Sequence, residues 1–313
     1  MKQSSSPTSP TSLTSSELAT QPACWRRAAE AAVRAAGLPL PGERVAVTGC
    51  GTSWFMAQAY AALREAAGQG ETDAFASSEF PAARLDGRYD RVVAITRSGT
   101  TTEVLRLLDA LPGTTLAVTA DPGTPVKDAA DGLAVLDWAD EESVVQTRFA
   151  TTALAFLRAG LEAHGPLPAG VRTVAEAAAQ AEEAVAGPLP PEVLGAQQWT
   201  FLGTGWAYGL AQEAALKMRE AAGAWTEAYP AMEYRHGPVA IAAPSRVTWA
   251  FGPLPAGLAE SVTDAGGTFL GAESRDPMAD LVRAQRLAVA VAQARGLDPD
   301  RPRNLTRSVI LAG

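Results

Sequence analysis

Two stretches of this 313-residue chain repeat each other at a fixed distance. Gly49 and Gly203 each follow a short apolar run, Arg44 to Thr48 and Gln198 to Leu202, that reads as a buried strand, and 203 − 49 = 154. Glu79-Phe80 and Glu233-Tyr234 keep the same offset, 233 − 79 = 154. An internal repeat this long means two copies of one domain rather than a solenoid. The copies differ, however. Adding 154 to Thr96 lands on Ala250, in AFGPLPAG, where the hydroxyl-rich loop of the first copy is gone. Only the second copy carries the segment EYRHGP. A site built from these parts is divided between the copies.

The rest of the chain fits the same plan. Arg91 to Ile95, Thr115 to Thr119 and Gly132 to Leu136 read as further strands. Helices are expected from Glu17 to Ala36, from Ser53 through Glu65, from Glu103 to Leu111, from Thr147 to His164 and from the Gly203 loop to Glu220. Strands alternating with helices of this length predict an α/β fold, a parallel sheet with helices on both faces in each copy, doubly wound and flavodoxin-like. Residues 1–15, MKQSSSPTSPTSLTS, have almost nothing to bury and read as a disordered tail. The proline-marked stretch 165–191 reads as the connection between halves, with a first domain over 16–168, a second over 169–300, and a C-terminal tail over 301–313.

Hydrophobic residues make up 47% and charged residues 19%, which is the balance of a globular chain. A net charge of −8 argues against a general nucleic-acid surface or a polybasic membrane anchor. No apolar run is long enough to span a bilayer, and no apolar core follows Met1-Lys2 as in a secretory signal. Cys24 and Cys50 do not make a disulfide framework, so a cytoplasmic protein is expected. The two histidines, 236 − 164 = 72 positions apart, and the two separate cysteines match no metal-ligand spacing, and no cofactor is expected.

Three segments carry chemistry. Thr96-Arg97-Ser98-Gly99-Thr100-Thr101-Thr102 follows a strand and opens a helix. A helix N-terminus offers unpaired N–H groups and partial positive charge to an anion, five hydroxyls add donors, and Gly99 permits close backbone approach. N-capping alone explains one or two such hydroxyls, not five. In the second segment Glu213, Lys217 and Glu220, at i, i+4 and i+7, share one helical stripe. That pattern is a solvated ion pair on many ordinary helices. Here Glu233, Arg235 and His236 crowd in shortly afterwards, so carboxylates, an ammonium and one of only two histidines are at hand for proton transfer. The third, Gly203-Thr204-Gly205 with Gly209, matches a dinucleotide-binding turn, and Glu227 lies 24 residues beyond Gly203. An NAD(P)-binding enzyme is therefore a lesser alternative; the first copy's GCGTSW lacks the third glycine, and the stronger anion loop lies elsewhere.

ALKMRE followed by TEAYPAMEYRHGP resembles the isomerase domain of glucosamine-6-phosphate synthase, in the sugar isomerase (SIS) family of phosphosugar-binding proteins. The resemblance runs from about Glu17 to Val309. It implies two tandem SIS domains with a phosphosugar site. Thr96, Ser98, Gly99 and Thr101 match the family's Ser-x-Ser-Gly-x-Thr phosphate loop, with Arg97 inside it. Cys50, Gly51, Thr52 and Ser53 match its first sugar loop, where Cys50 reads as a packed small residue rather than a nucleophile. Gln146 and Thr147, in ESVVQTR, stand where the synthase has Ser-Thr in contact with the sugar. By the same resemblance Glu220 moves the proton between C1 and C2, His236 assists ring opening from the neighbouring subunit of a homodimer, and Lys217 supports the carboxylate. The tail DPDRPRNLTRSVILAG matches a segment that folds over the sugar, with Arg307 where the synthase has a Schiff-base lysine. A guanidinium stays protonated and cannot form an imine, but it can hold an oxyanion. Arg307 reads equally as the partner of a surface carboxylate.

The synthase also carries a glutaminase whose nucleophile is the first cysteine after Met. Residue 2 here is Lys, so the resemblance implies a chain with no ammonia source of its own. The expected activity is that of a phosphosugar isomerase, or an isomerising deaminase or deglycase, acting on a hexose 6-phosphate derivative. The alternative of another class is a non-catalytic phosphosugar sensor. It is disfavoured because the Glu/His pair is kept and no helix-turn-helix segment is evident.

Overall fold

Every residue of VAVTG, Val45–Gly49, is buried, as is every residue of Thr115–Thr119, so both runs become central strands of a sheet covered on two faces. The computed structural model describes residues 12–271 and 274–311. In chain order the first half holds α1 (Leu13–Ala19), α2 (Gln21–Ala32), β1 (Val45–Gly49), α3 (Thr52–Ala66), β2 (Thr72–Ala76), β3 (Arg91–Ile95), α4 (Thr102–Ala110), β4 (Thr115–Thr119), α5 (Val126–Ala129), β5 (Gly132–Val135) and α6 (Arg148–His164). There follow α7 (Val174–Ala186), α8 (Pro191–Leu194), β6 (Gln198–Gly203), α9 (Ala207–Ala222), β7 (Thr226–Pro230), β8 (Arg246–Phe251), α10 (Leu258–Asp264), β9 (Thr268–Gly271) and α11 (Pro277–Ala294). Short 3-10 turns lie between several of these.

The strands form two sheets, ordered β2-β1-β3-β4-β5 and β7-β6-β8-β9, and every pairing is parallel. The offset of 154 recurs in the pairing of the edge strands, since Thr72 and Thr226 pair with Val45 and Trp199 and 226 − 72 = 154. At the next strand the offset grows by two, because Val45 pairs with Arg91 and Trp199 with Val247 (247 − 91 = 156).

Two expectations at the N-terminus change. The Ser/Thr/Pro-rich tail lies outside the described residues as far as residue 11, but Ser12 already caps α1, accepting from the Ser15 N–H. The single helix expected over 17–36 is two, divided at Thr20, with Pro22 in the first turn of α2 where a missing N–H costs nothing. Thr14 Oγ1 reaches Asp300 Oδ1 at 2.6 Å, which ties α1 to the segment after α11.

Between the sheets the helices pack on one another. α3 lies on β1 and β2 and meets α9, which lies on β6 and β7; α11 covers α9 and α7. Gly209 makes the α3–α9 contact possible, because a Cβ there would sit 2.4 Å from the Phe55 carbonyl oxygen. One buried cluster therefore runs through both halves, from Trp25 and Tyr60 to Trp199, Trp249 and Leu287. On the outer faces Val104 and Leu108 of α4 cover Ala94 and Ala117, and Leu258 and Val262 of α10 cover Leu202 and Ala250. Among the described residues no helix is long and apolar enough to cross a membrane.

Candidate functional site

The order β2-β1-β3 makes the carboxyl ends of β1 and β3 the place where the chain turns away in opposite directions, which in open parallel sheets leaves a crevice. The Cys50–Ser53 loop leaves β1 there and the Thr96–Thr101 loop leaves β3. Gly99 has φ +62°, and a Cβ would fall 2.1 Å from Thr124 Oγ1, so only glycine lets this loop fold tightly under α4. Thr96 Oγ1 is buried without a hydrogen-bond partner among the described residues. A hydroxyl left dry and unpaired costs stability, and a ligand oxygen would relieve it. Ser98 Oγ accepts from Thr100 Oγ1 at 3.0 Å. Burial pushes the Cys50 thiol above its ordinary pKa, so it stands as a thiol and not as a reactive thiolate.

Below the crevice Glu141 organises the loop into α6. Its Oε1 accepts from the Thr147 N–H at 2.7 Å, Thr147 Oγ1 at 2.8 Å and the Arg148 N–H at 2.7 Å, and its Oε2 accepts from the Phe149 N–H at 3.1 Å. The carboxylate thus satisfies the open N-terminus of α6. The same Glu141 faces Arg97 at 3.7 Å, while Arg97 donates to the Ser143 carbonyl at 3.1 Å. Thr147 is committed to this cap and leaves the crevice to Gln146.

From the second half, α9 delivers the charged stripe. Lys217 Nζ, buried, donates to Thr52 Oγ1 at 3.0 Å and to Glu220 Oε2, and stands 3.5 Å from Glu213 Oε1. Burial alone would lower the lysine's pKa, but the Glu213 and Glu220 carboxylates overcome it and hold the ammonium above its ordinary value. Glu213 is fully buried, and desolvation pushes its carboxyl up to about 8 against the pull of Lys217. The ammonium thus sits between two carboxyl groups, with Glu213 buried beside it and Glu220 on the side of the cavity.

These parts meet in one cavity of about 280 Å³. Cys50, Gly51, Thr52, Ser53, Thr96, Arg97, Ser98, Thr101, Gln146, Glu220 and Arg307 all face it. Lys217 stands behind Glu220, and Gly99 shapes the loop from outside the wall. His236 is not brought there. It sits exposed in the turn after β7, outside the cavity wall.

The tail segment 305–311 lies against the Thr96–Thr102 loop. The Thr102 N–H, at the start of α4, donates to the Val309 carbonyl at 3.2 Å, and the Leu311 N–H to Thr102 Oγ1 at 3.0 Å. Thr100 Oγ1 meets Ser308 Oγ at 3.0 Å. Leu305, Thr306, Ser308 and Val309 close that side of the cavity. Arg307 lines the cavity while gripping both Asp140 oxygens at 2.6 and 2.7 Å and donating to the Glu141 carbonyl. Missed in the sequence were Val144 in the wall and the capping role of Glu141, whose signal is a carboxylate six residues before the helix hydroxyl.

The dinucleotide alternative loses its acid. Glu227 is the second residue of β7, three residues short of the strand's carboxyl end at Pro230, which is about 10 Å from where a ribose would lie.

No family model matches the chain. An isomerizing glutamine–fructose-6-phosphate aminotransferase from Synechocystis is 33% identical over 171 residues, covering 46% of this chain and 26% of that protein. The one from Aeropyrum pernix is 27% identical over 327 residues, covering 89% of this chain and 53% of that protein. The chain thus spans between a quarter and about half of the length of these curated relatives. In fold it matches a glucosamine-6-phosphate deaminase from Thermotoga maritima with a TM-score of 0.80 at 23% identity, over 96% of this chain and 100% of that one. Sequence and fold together bear out the resemblance of this chain to the sugar isomerase family, read first in ALKMRE and TEAYPAMEYRHGP.

Proposed function

We propose that the chain binds a hexose 6-phosphate derivative in this cavity and moves a proton between its C1 and C2, as an isomerase or as an isomerising deaminase or deglycase. The observation that carries the reading is one wall facing another: Glu220, in contact with a buried ammonium, looks onto a loop whose Thr96 hydroxyl is buried and unpaired. The phosphate lies against Thr96, Ser98 and Thr101, and the open-chain sugar extends toward Glu220. Glu220 takes the proton from the carbon beside the carbonyl and returns it to the neighbour, while Lys217 balances the charge. For a 2-amino aldose the result is an imine at C2, and addition of one water gives ketose phosphate and ammonia. For a 1-amino ketose the imine forms at C1, and one water gives aldose phosphate and the free amine.

The exposed position of His236 fits a residue that serves a neighbouring subunit, so the working unit of this reading is a homodimer. Residues 16–168 and 169–300 are then two copies of one domain, with 301–313 as the tail, of which 312–313 lie outside the described residues. The test is to incubate the protein with 6-phosphorylated amino sugars and fructosamines. Wild type should release sugar phosphate with ammonia or amine, and Glu220→Gln should bind these ligands without releasing either. Binding without turnover by wild type would leave a phosphosugar sensor; no binding would remove the reading.

A further inference from the structure

Helix α1 has seven residues, too few to persist on its own hydrogen bonds. Its packing is open on two sides. A cavity of about 230 Å³ lies between it and α7 and α11, and one of about 390 Å³ between it and the loop before α6. Its buried side chains are Thr14, Glu17 and Leu18. Leu18 joins the apolar cluster, whereas the two polar ones reach the frame of the cavity described above. At one end Asp300, the residue before the tail, accepts from the Leu13 and Thr14 N–H groups at 2.8 Å and from Thr14 Oγ1. At the other, Glu17 accepts from the Glu142 N–H at 2.5 Å and from the Ser143 hydroxyl. The Ser143 carbonyl in turn accepts from Arg97 at 3.1 Å, and Arg97 also donates to the Arg307 carbonyl at 3.2 Å. Arg307 grips Asp140. The contacts therefore close a ring that runs from α1 through the tail, Arg97 and the 140–143 loop back to α1.

We infer that α1 is a strap that seats the tail over the cavity, with Glu17 and Asp300 as positioning residues. Neither lines the cavity itself. Asp300 fixes where the tail starts and Arg307 fixes it further on, so the six residues between them have few other paths. Glu17 steadies the loop that holds Arg307 and Arg97. Release of α1 removes the first anchor outright and loosens the loop under the second. An element this short, between two cavities, opens well below the free energy of global unfolding.

Two amides report the seat of the tail. The Thr102 N–H donates to the Val309 carbonyl and the Leu311 N–H to Thr102 Oγ1, and both lose their partners when the tail lifts. Hydrogen exchange, read by NMR on the full chain, should run about tenfold faster at both in Asp300→Ala and in Glu17→Gln. The amides of β1 and β4 should keep their wild-type rates. Asp300→Asn retains an acceptor and should recover part of the protection that Asp300→Ala loses. Reporter amides that exchange as in wild type overturn the inference. So does faster exchange at β1 and β4 in step with the reporters, which would make α1 a part of the core and nothing more. Should Glu17→Gln not fold, Asp300→Ala, at a half-buried position, decides alone. The measurement needs no substrate, so its outcome is separate from that of the proposed function.

Discussion

Lys217 Nζ stands 3.0 Å from Thr52 Oγ1, so a helix of the second half is hydrogen-bonded to the first turn of a helix of the first half. Glu220, one turn further along the same helix, faces the Cys50–Ser53 and Thr96–Thr101 loops of the first half. The close approach of Gly209 to Phe55, further up the same pair of helices, sets the distance.

Glu213 gives the site a pH signature. Its folded pKa, about 8, lies above the ordinary carboxyl value because of burial, so the folded state holds a proton that the unfolded chain has released. Stability contributed by that proton is present below about pH 4.5 and is lost as pH rises toward 8. Lys217, Glu220 and Thr52 are the groups that face it. Thermal unfolding followed from pH 5 to 8 should show wild type losing stability relative to Glu213→Gln. Parallel curves for the two proteins would mean that Glu213 is ionised throughout.

Thr96→Val with Ser98→Ala should weaken phosphosugar binding by about 1.5–3 kcal/mol for each donor removed from a charged group. Affinity for the unphosphorylated sugar should change far less. Calorimetry with both ligands reads the difference, and equal losses would take the phosphate away from this loop.

For His236 the expectation concerns two chains. Glu220→Gln and His236→Ala proteins, each inactive alone, should recover part of the activity when mixed under conditions of subunit exchange. A mixture as inactive as its components would place all of the chemistry within one chain.

Arg307→Ala should free the tail from Asp140 and lower turnover, with a small effect on unfolding, because the pair it breaks is more than a third exposed. Borohydride reduction in the presence of a ketose phosphate should leave the wild-type mass unchanged. A reduced adduct on a lysine would establish covalent chemistry instead.

How much could be read in advance follows the physics of each segment. Arg91–Ile95 and Thr115–Thr119 were legible because strands covered on both faces are unbroken apolar runs. TDAFA, which forms β2, was not, since an edge strand half exposed beside a turn has no such run. The Thr96–Thr101 loop announced itself by five hydroxyls at a helix start. Glu141 did not, because its hydrogen bonds go to a helix that begins seven residues later, and only folding brings them together. His236 misled in the sequence, because its closeness to charged neighbours along the chain does not carry it to the cavity wall, and it stands exposed after β7.

The buried cluster shared by the two halves makes unfolding a joint event. Neither half can open alone without baring the alanine and leucine faces of α3 and α9 to water. Denaturation should therefore occur in one cooperative step, and an expressed fragment of either half should aggregate rather than fold. A substitution that loosens the α11 side of this cluster should then also thin the population in which Glu220 and Thr96 face each other at all.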